Sequence, residues 1–320
     1  MTARIAARLG RMRQTGSLCL RRRAWLRTMI ASTQETPFGP WVTPQASELS
    51  KPEDDQLASS QAEYEDGARF FEHFDGELTE ADLDRADVLD LGCGFGGRTV
   101  YYAERGPREV TGLDISERVV ERCRNFAQGR GVDNARFLVG FAEELPFPDE
   151  SFDHVLGQDV IEHVHDPVLA LREIRRVLRP GGHAWLIFPT YLGAGSSHLA
   201  YVTQIPALHR LFDPDVIVEV VNEFLAADPE RYIQELQPPP KLDPLGRRPL
   251  PSMNGMDRRQ AVSIIERCGF VVQRGDIRLL SEANQRTPFR QLGMVADAVG
   301  SLGWTPELLI GRLRFHLIAS

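Results

Sequence analysis

Val88-Leu89-Asp90-Leu91-Gly92-Cys93-Gly94-Phe95-Gly96-Gly97 carries an apolar run directly into a glycine-rich turn. Only residues lacking a Cβ let a backbone bend this sharply and approach a ligand closely. Gly92, Gly94 and Gly96 are therefore placed to wrap a nucleotide-like molecule, with a helix opening behind them. The next apolar run, Val110-Thr111-Gly112-Leu113-Asp114, ends in a carboxylate. Asp114 follows the glycines by about 20 residues, the spacing of one strand-helix-strand unit. A carboxylate there can accept hydrogen bonds from both hydroxyls of a ribose. On these features alone two ligand classes stay open, because Gly92, Gly94 and Gly97 also satisfy the dinucleotide pattern G-x-G-x-x-G.

Outward from this segment, short apolar runs alternate with amphipathic helices, which predicts parallel strands joined by crossover helices. Strands are expected at Val88–Leu91, Glu109–Leu113, Arg136–Val139, Phe152–Gly157 and His183–Phe188. Ser116 is positioned to cap the helix after the second strand, whose apolar stripe is Val119, Val120, Cys123, Phe126 and Ala127. Val168, Leu171, Ile174, Val177 and Leu178 share one face of the helix before the fifth strand, which stops at Pro180-Gly181-Gly182. Tyr64, Ala68 and Phe71 suggest a helix over Tyr64–Phe74, which could lie over the mouth of a site or simply pack. Thr36 to about Gln61 reads as a linker. Past residue 254 a helix near Arg258–Cys268, a strand near Phe270–Arg274, helices within 286–310 and a final antiparallel strand at Leu313–Ala319 are expected. The fold class predicted is α/β, a doubly wound seven-stranded mostly parallel sheet with an inserted helical lid.

Four blocks then give a specific resemblance: Val-Leu-Asp-Leu-Gly-Cys-Gly (88–94), Gly-Leu-Asp-Ile-Ser (112–116), Ala-Glu-Glu-Leu-Pro-Phe-Pro-Asp-Glu-Ser-Phe-Asp (142–153) and Leu-Arg-Glu-Ile-Arg-Arg-Val-Leu-Arg-Pro-Gly-Gly (171–182). With Ile161-Glu162-His163-Val164, they make the chain resemble class I S-adenosylmethionine-dependent methyltransferases of the ubiquinone/menaquinone-methylase-like group. The resemblance implies S-adenosyl-L-methionine as cofactor. It assigns Asp90 and the backbone of Gly92, Cys93, Gly94 and Gly96 to the methionine moiety, Asp114 to the ribose and Ile115 to the adenine face. Ala142 and Glu143 fall at the adenine edge, and Gln158, ending the fourth strand, is counted with the cofactor site. Many relatives have Asp where this chain has Phe141, so a stacking ring, with Glu143 or a backbone group accepting the adenine amino hydrogen, is expected instead. The resulting divisions are a basic N-terminal extension expected to be disordered (1–35), a linker and capping helix (36–80), a cofactor-binding core (81–189), an insertion serving as candidate acceptor lid (190–254) and a C-terminal completion of the sheet (255–320).

Charge narrows the acceptor. The net charge is −8, yet residues 1–34 hold eight arginines and no acid, leaving 29 basic against 45 acidic residues, or −16, in the remainder. Such a body repels phosphate backbones, so no nucleic-acid partner is expected. The leader itself reads as a disordered tail, a transit peptide or an interaction arm. No apolar run is long enough for a membrane span. Cys19, Cys93, Cys123 and Cys268 are scattered without a disulfide-like pattern, which fits a cytoplasmic setting.

Methyl transfer from a sulfonium requires an acceptor held in line and shielded from water. In open α/β sheets that happens beyond the carboxyl ends of the strands, where Gln158-Asp-Val-Ile-Glu-His-Val-His-Asp166 lies. A small-molecule oxygen acceptor must lose a proton, and His163 and His198 are the candidate bases, with His209 a further one. A purely structural role competes for His163. A divalent-metal reading of Asp159, Glu162 and His163 is the sharper alternative, although no metal is expected. Carbon or nitrogen acceptors, a nicotinamide-dependent oxidoreductase and a non-catalytic cofactor-binding module are the competing functions.

Overall fold

The structure is a computed structural model. It describes residues 20–34, 53–190, 203, 205, 208–212, 214–227, 254–279 and 310–319. A helix over residues 20–33 (α1) comes first. There follow α2 (Glu53–Glu65), α3 (Arg69–Glu72), a 3-10 turn (Glu80–Leu83), β1 (Asp87–Leu91), α4 (Gly97–Ala103), β2 (Glu109–Asp114), α5 (Glu117–Arg130), β3 (Ala135–Val139) and β4 (Phe152–Gln158). The chain continues through α6 (Pro167–Val177), β5 (Leu178–Phe188), α7 (Leu208–Leu211), α8 (Pro214–Ala227), α9 (Arg258–Arg267), β6 (Phe270–Leu279) and β7 (Ile310–Ala319).

The seven strands form one sheet in the order β3-β2-β1-β4-β5-β7-β6. β1 to β5 run parallel, and β7 is antiparallel to both β5 and β6. The strand order reverses between β1 and β4, which opens a crevice at their carboxyl ends. β1 shows why it sits at the centre: Val88, Leu89, Asp90 and Leu91 are all buried, as expected of a parallel strand covered on both faces. One face packs on α6 and α9 through Leu89, Ile174, Leu186 and Ile264, while Val88, Val110, Trp185 and Ile187 on the other meet the aromatics of α3 and α4.

Helices α5 and α6 start where the sequence places their caps, although α6 stops at Val177 and β5 begins at Leu178, ahead of the expected stop at Pro180-Gly181-Gly182 and the expected strand start at His183. Ser116 Oγ accepts the Val119 N–H at the start of α5, and Asp166 accepts the Val168 and Leu169 N–H groups at the start of α6, with Pro167 in its first turn. Val120, Cys123, Phe126 and Ala127 are buried on α5 as the stripe predicts. The C-terminal strand is antiparallel as expected and begins earlier, at Ile310. The helices expected within 286–310 lie outside the described residues.

Two expectations need correction. The segment read as linker to about Gln61 is helical from Glu53, and the expected Tyr64–Phe74 helix is instead the end of α2, a turn and α3. Ser59 and Ser60 are buried in α2, so polar contacts rather than an apolar stripe hold it down. The basic extension, expected to be disordered, is helical over residues 20–33. Leu26 and Ile30 there pack with Leu208, Phe212, Val216, Ile217 and Val220 in a small core of their own. Apolar residues at i and i+4 on one face account for the helix; surrounding arginines mask that pattern. Among the described residues no helix is long and apolar enough to cross a membrane.

Across β4, β5 and β7, three histidines gather on one face. His183 Nδ1 lies 2.9 Å from His316 Nε2, the Trp185 indole N–H donates to His154 Nδ1 at 3.3 Å, and Trp185 stacks on His316 with centroids 3.6 Å apart. Burial, reinforced by His183, His154 and Arg274, pushes His316 down to about 4 from the ordinary 6.5, and burial lowers His154 and His183 as well. As pH falls the unfolded chain takes the proton first. The stabilisation is therefore complete above about pH 6.5 and is lost between there and about pH 4. Replacing His316 by Phe, which keeps the stack and removes the titration, should flatten stability against pH over that window, as read by urea unfolding at a series of pH values.

Candidate functional site

The crevice at the β1/β4 switch is built around the glycine loop. Gly92, Gly94 and Gly96 take left-handed φ values of 68°, 54° and 76°. A Cβ on Gly92 would stand 2.8 Å from Val160 Cγ2, so both torsion and space exclude a side chain there. The Gly92 and Cys93 N–H groups donate to Leu113 O at 2.8 and 3.0 Å, folding the loop back on the end of β2. Asp114, half-buried at that end, accepts from the Gly94 N–H at 3.3 Å through Oδ2 and from the Ser116 N–H at 3.0 Å through Oδ1. Loop and carboxylate thus form one wall.

Behind the loop sits Asp90, buried, with the Thr99 hydroxyl donating to it at 2.6 Å. Burial pushes its carboxyl up to about 6 against the opposing pull of Arg98 and Thr99. Cys93 is fully buried beside Cys123, whose hydrogen bond together with burial raises the Cys93 thiol; the Cys93 side chain packs inward. Ile115 is 47% exposed and Phe141 61% exposed, whereas Ala142 is buried. Glu143 Oε1 accepts the His165 and Asp166 N–H groups at 2.6 and 3.2 Å, tying it to the start of α6.

Beyond β4, Gln158 Nε2 lies 3.5 Å from Asp159 Oδ2. Asp159 has φ 56°, and its Oδ1 accepts from Arg312 Nη1 of β7 at 2.6 Å. Glu162 is buried, its carboxyl raised well above the usual range by burial and by Asp159. His163 Nε2 stands 3.6 Å from Glu162 Oε1. With a guanidinium on Asp159, the three side chains of the metal alternative do not converge as ligands. Among the described residues no group of three or more His, Cys, Asp or Glu is arranged to hold a metal ion. His198 lies outside the described residues, as does the His209 side chain.

Sequence reasoning missed three charged residues. Glu63 of α2 lies over the glycine loop, where its carboxylate accepts the Phe95 and Gly97 N–H groups at 3.4 and 3.2 Å and Arg98 Nη1 stands 3.9 Å away. Ser60 Oγ of the same helix donates to Phe95 O at 2.7 Å. Gly97 makes this approach possible, since a Cβ there would fall 2.0 Å from Ser60 O. Burial raises the Glu63 carboxyl while Arg98 opposes it. Arg98 directly follows the glycines and was open to notice; Glu63 sits in a polar stretch with no motif, and Arg312 is 153 residues from Asp159.

Asn254 holds the far rim. Its side-chain amide donates to Ile161 O at 2.7 Å and Val164 O at 3.1 Å, its Oδ1 accepts the Met256 N–H, and its own N–H donates to Glu162 O. Asn254→Ala strands two buried carbonyls and should cost about 2 kcal/mol in chemical denaturation.

Residues 89–186, from β1 to β5, match the family model described as a methyltransferase domain. The chain is 40% identical over 100 residues to the uncharacterized methyltransferase YcgJ of Bacillus subtilis, covering 31% of this chain and 39% of that protein. It is 40% identical over 106 residues to a probable phthiotriol/phenolphthiotriol dimycocerosates methyltransferase of Mycobacterium ulcerans, covering 33% and 40%. Identity to the demethylmenaquinone methyltransferase of Listeria welshimeri is 42% over 98 residues, covering 30% and 42%. The chain therefore spans about two fifths of the length of these curated relatives.

Proposed function

We propose that the chain, whose residues 89–186 match the methyltransferase-domain model, moves a methyl group from S-adenosyl-L-methionine to an oxygen of a small-molecule acceptor. The observation that carries this reading is the single wall formed by the left-handed glycine loop and Asp114 at the β1/β4 switch. The residues fit the cofactor. Asp114 stands at the end of β2 beside the loop, and a carboxylate there is an acceptor of the kind a ribose diol requires. A Cβ at Gly92 would intrude on Val160 beside the loop. Asp90, Asp114 and Glu63 give the crevice the negative potential that a net-positive ligand requires.

When bound, the cofactor supplies a methyl group already activated on a sulfonium. The chain's own task is to position and to dry the site. Asp114 orients the ribose, the 92–96 backbone receives the methionine portion, and Ile115 with Phe141 offers apolar surface to the adenine. Glu63 brings α2 down over the loop and places a carboxylate near the cationic end of the ligand. His163, oriented by Glu162, takes the proton from the acceptor hydroxyl at the mouth beyond β4. The small-molecule reading draws support from the −16 charge outside the leader, which disfavours nucleic acid.

Two measurements test this reading. Saturation with S-adenosylhomocysteine at about 100 times its Kd should stabilise the protein by about 2.7 kcal/mol, and Asp114→Ala should abolish the gain; an unchanged melting curve for the parent protein overturns the cofactor site. Glu63→Gln should weaken the sulfonium-bearing cofactor about fivefold more than its neutral product, equivalent to roughly 1 kcal/mol, at pH 8 by titration calorimetry. Equal weakening of both would leave Glu63 a packing role only.

The acceptor chemistry is read by offering phenols, amines and carbon acids with labelled cofactor. Label on oxygen, with kcat reduced about 10²-fold in His163→Ala and KM for the cofactor unchanged, is the expected result. Label on nitrogen or carbon alone overturns the oxygen assignment.

A further inference from the structure

Helix α1 has two faces with different fates. Leu26 and Ile30 are fully buried against α7 and α8, and Arg23 reaches Glu219 and Glu223 of α8. The other face is exposed: Arg21 and Arg22 lie in solvent, and one turn on Trp25 is 59% exposed, although its ring touches Phe212 at a centroid distance of 5.2 Å. Beside Phe212, Leu211 is 60% exposed, and Leu20 at the start of the helix is 67% exposed. On the 3.6-residue helical repeat Arg21, Arg22 and Trp25 share one side of α1, and Leu211 adjoins it through Phe212, which the Trp25 ring touches. In the sequence, residues 1–34 carry eight arginines and no acid, against −16 in the remainder.

We propose that this surface docks the protein on an anionic lipid bilayer, with Trp25 and Leu211 in the headgroup layer and Arg21 and Arg22 among the lipid phosphates. An amphipathic ring beside guanidinium groups suits a boundary that is apolar on one side and charged on the other. The charge sign selects anionic headgroups, and the acidic body turns the opposite way in the same field. The ion pairs of Arg23 with Glu219 and Glu223 hold α1 to α8, so adsorption through α1 carries the helices of the 190–254 segment to the lipid surface. The inference rests on surface composition and stands apart from the methyl-transfer reading.

The full chain mixed with extruded vesicles tests it. Vesicles of phosphatidylcholine with about 30% phosphatidylglycerol should retain the protein at least about tenfold better than phosphatidylcholine alone in sedimentation, with retention falling at roughly 0.5 M salt. The double variant Arg21→Glu/Arg22→Glu and the single variant Trp25→Ala should each lose about tenfold or more. Arg85→Glu, in the exposed turn before β1, should bind like the parent protein. Unchanged far-UV circular dichroism in the α1 variants keeps the comparison valid, and a variant that loses helix is replaced by Trp25→Ser or Arg21→Gln/Arg22→Gln. Equal retention on neutral and anionic vesicles, α1 variants that bind like the parent, or retention of single-stranded RNA without retention on vesicles would each overturn the proposal.

Discussion

The site hangs on one backbone constraint: β1 must leave the sheet and reverse within three left-handed glycines so that its N–H groups face the tip of β2. The Leu113 carbonyl takes two of those N–H groups and the Asp114 carboxylate a third. Each hydrogen bond alone is worth about 1 kcal/mol net. Acting together they fix the loop's curvature to the end of the neighbouring strand, so loop and carboxylate cannot drift apart independently. The parallel register of β1 with β2 sets that distance, because Leu91 lies opposite Leu113.

Around this constraint the charges are arranged in layers. Asp90 is buried beneath the loop and bonded by Thr99, Glu63 comes from above, and Arg98 lies close enough to both to oppose part of the shift that burial causes. A carboxylate held this way is costly when empty of partners and responsive when a cation approaches. At the other rim Arg312 donates to Asp159, and the Glu162 carboxyl is favoured in its neutral form by burial and then by the charge of Asp159.

Much of this was legible in the sequence where the signal is local. The positive φ of Gly92, Gly94 and Gly96, the Ser116 cap, the buried stripe of α5 and the antiparallel last strand all follow from residue type and spacing. What escaped depends on contacts between distant segments or on helices whose apolar content is slight. Glu63 and Ser60 belong to a helix with no apolar stripe, held by hydrogen bonds to a loop more than 30 residues on. Leu26 and Ile30 lie among arginines, and a charge run reads as a solvated tail unless the partner core at 208–221 is known. The bond of Glu143 to the start of α6 was likewise out of reach of the sequence, since its two N–H donors lie more than 20 residues on.

The end of the chain is as much part of the site as the glycine loop. β7 enters the sheet antiparallel beside β5, which places Arg312 at the same edge as the carboxyl ends of β1 and β4. Two residues further, Arg314 pairs with Asp276 and Asp75 and accounts for the hairpin's grip on the turn after α3. Antiparallel alternation puts both arginines on one face of β7, so a one-residue slip of this strand would remove the guanidinium from Asp159 and break the Asp75 contact at once. The register of the last strand is therefore fixed by the polar contacts of Arg312 and Arg314 on one face as well as by Leu313, Phe315 and Leu317 on the other, and the Arg312–Asp159 ion pair beyond β4 depends on it.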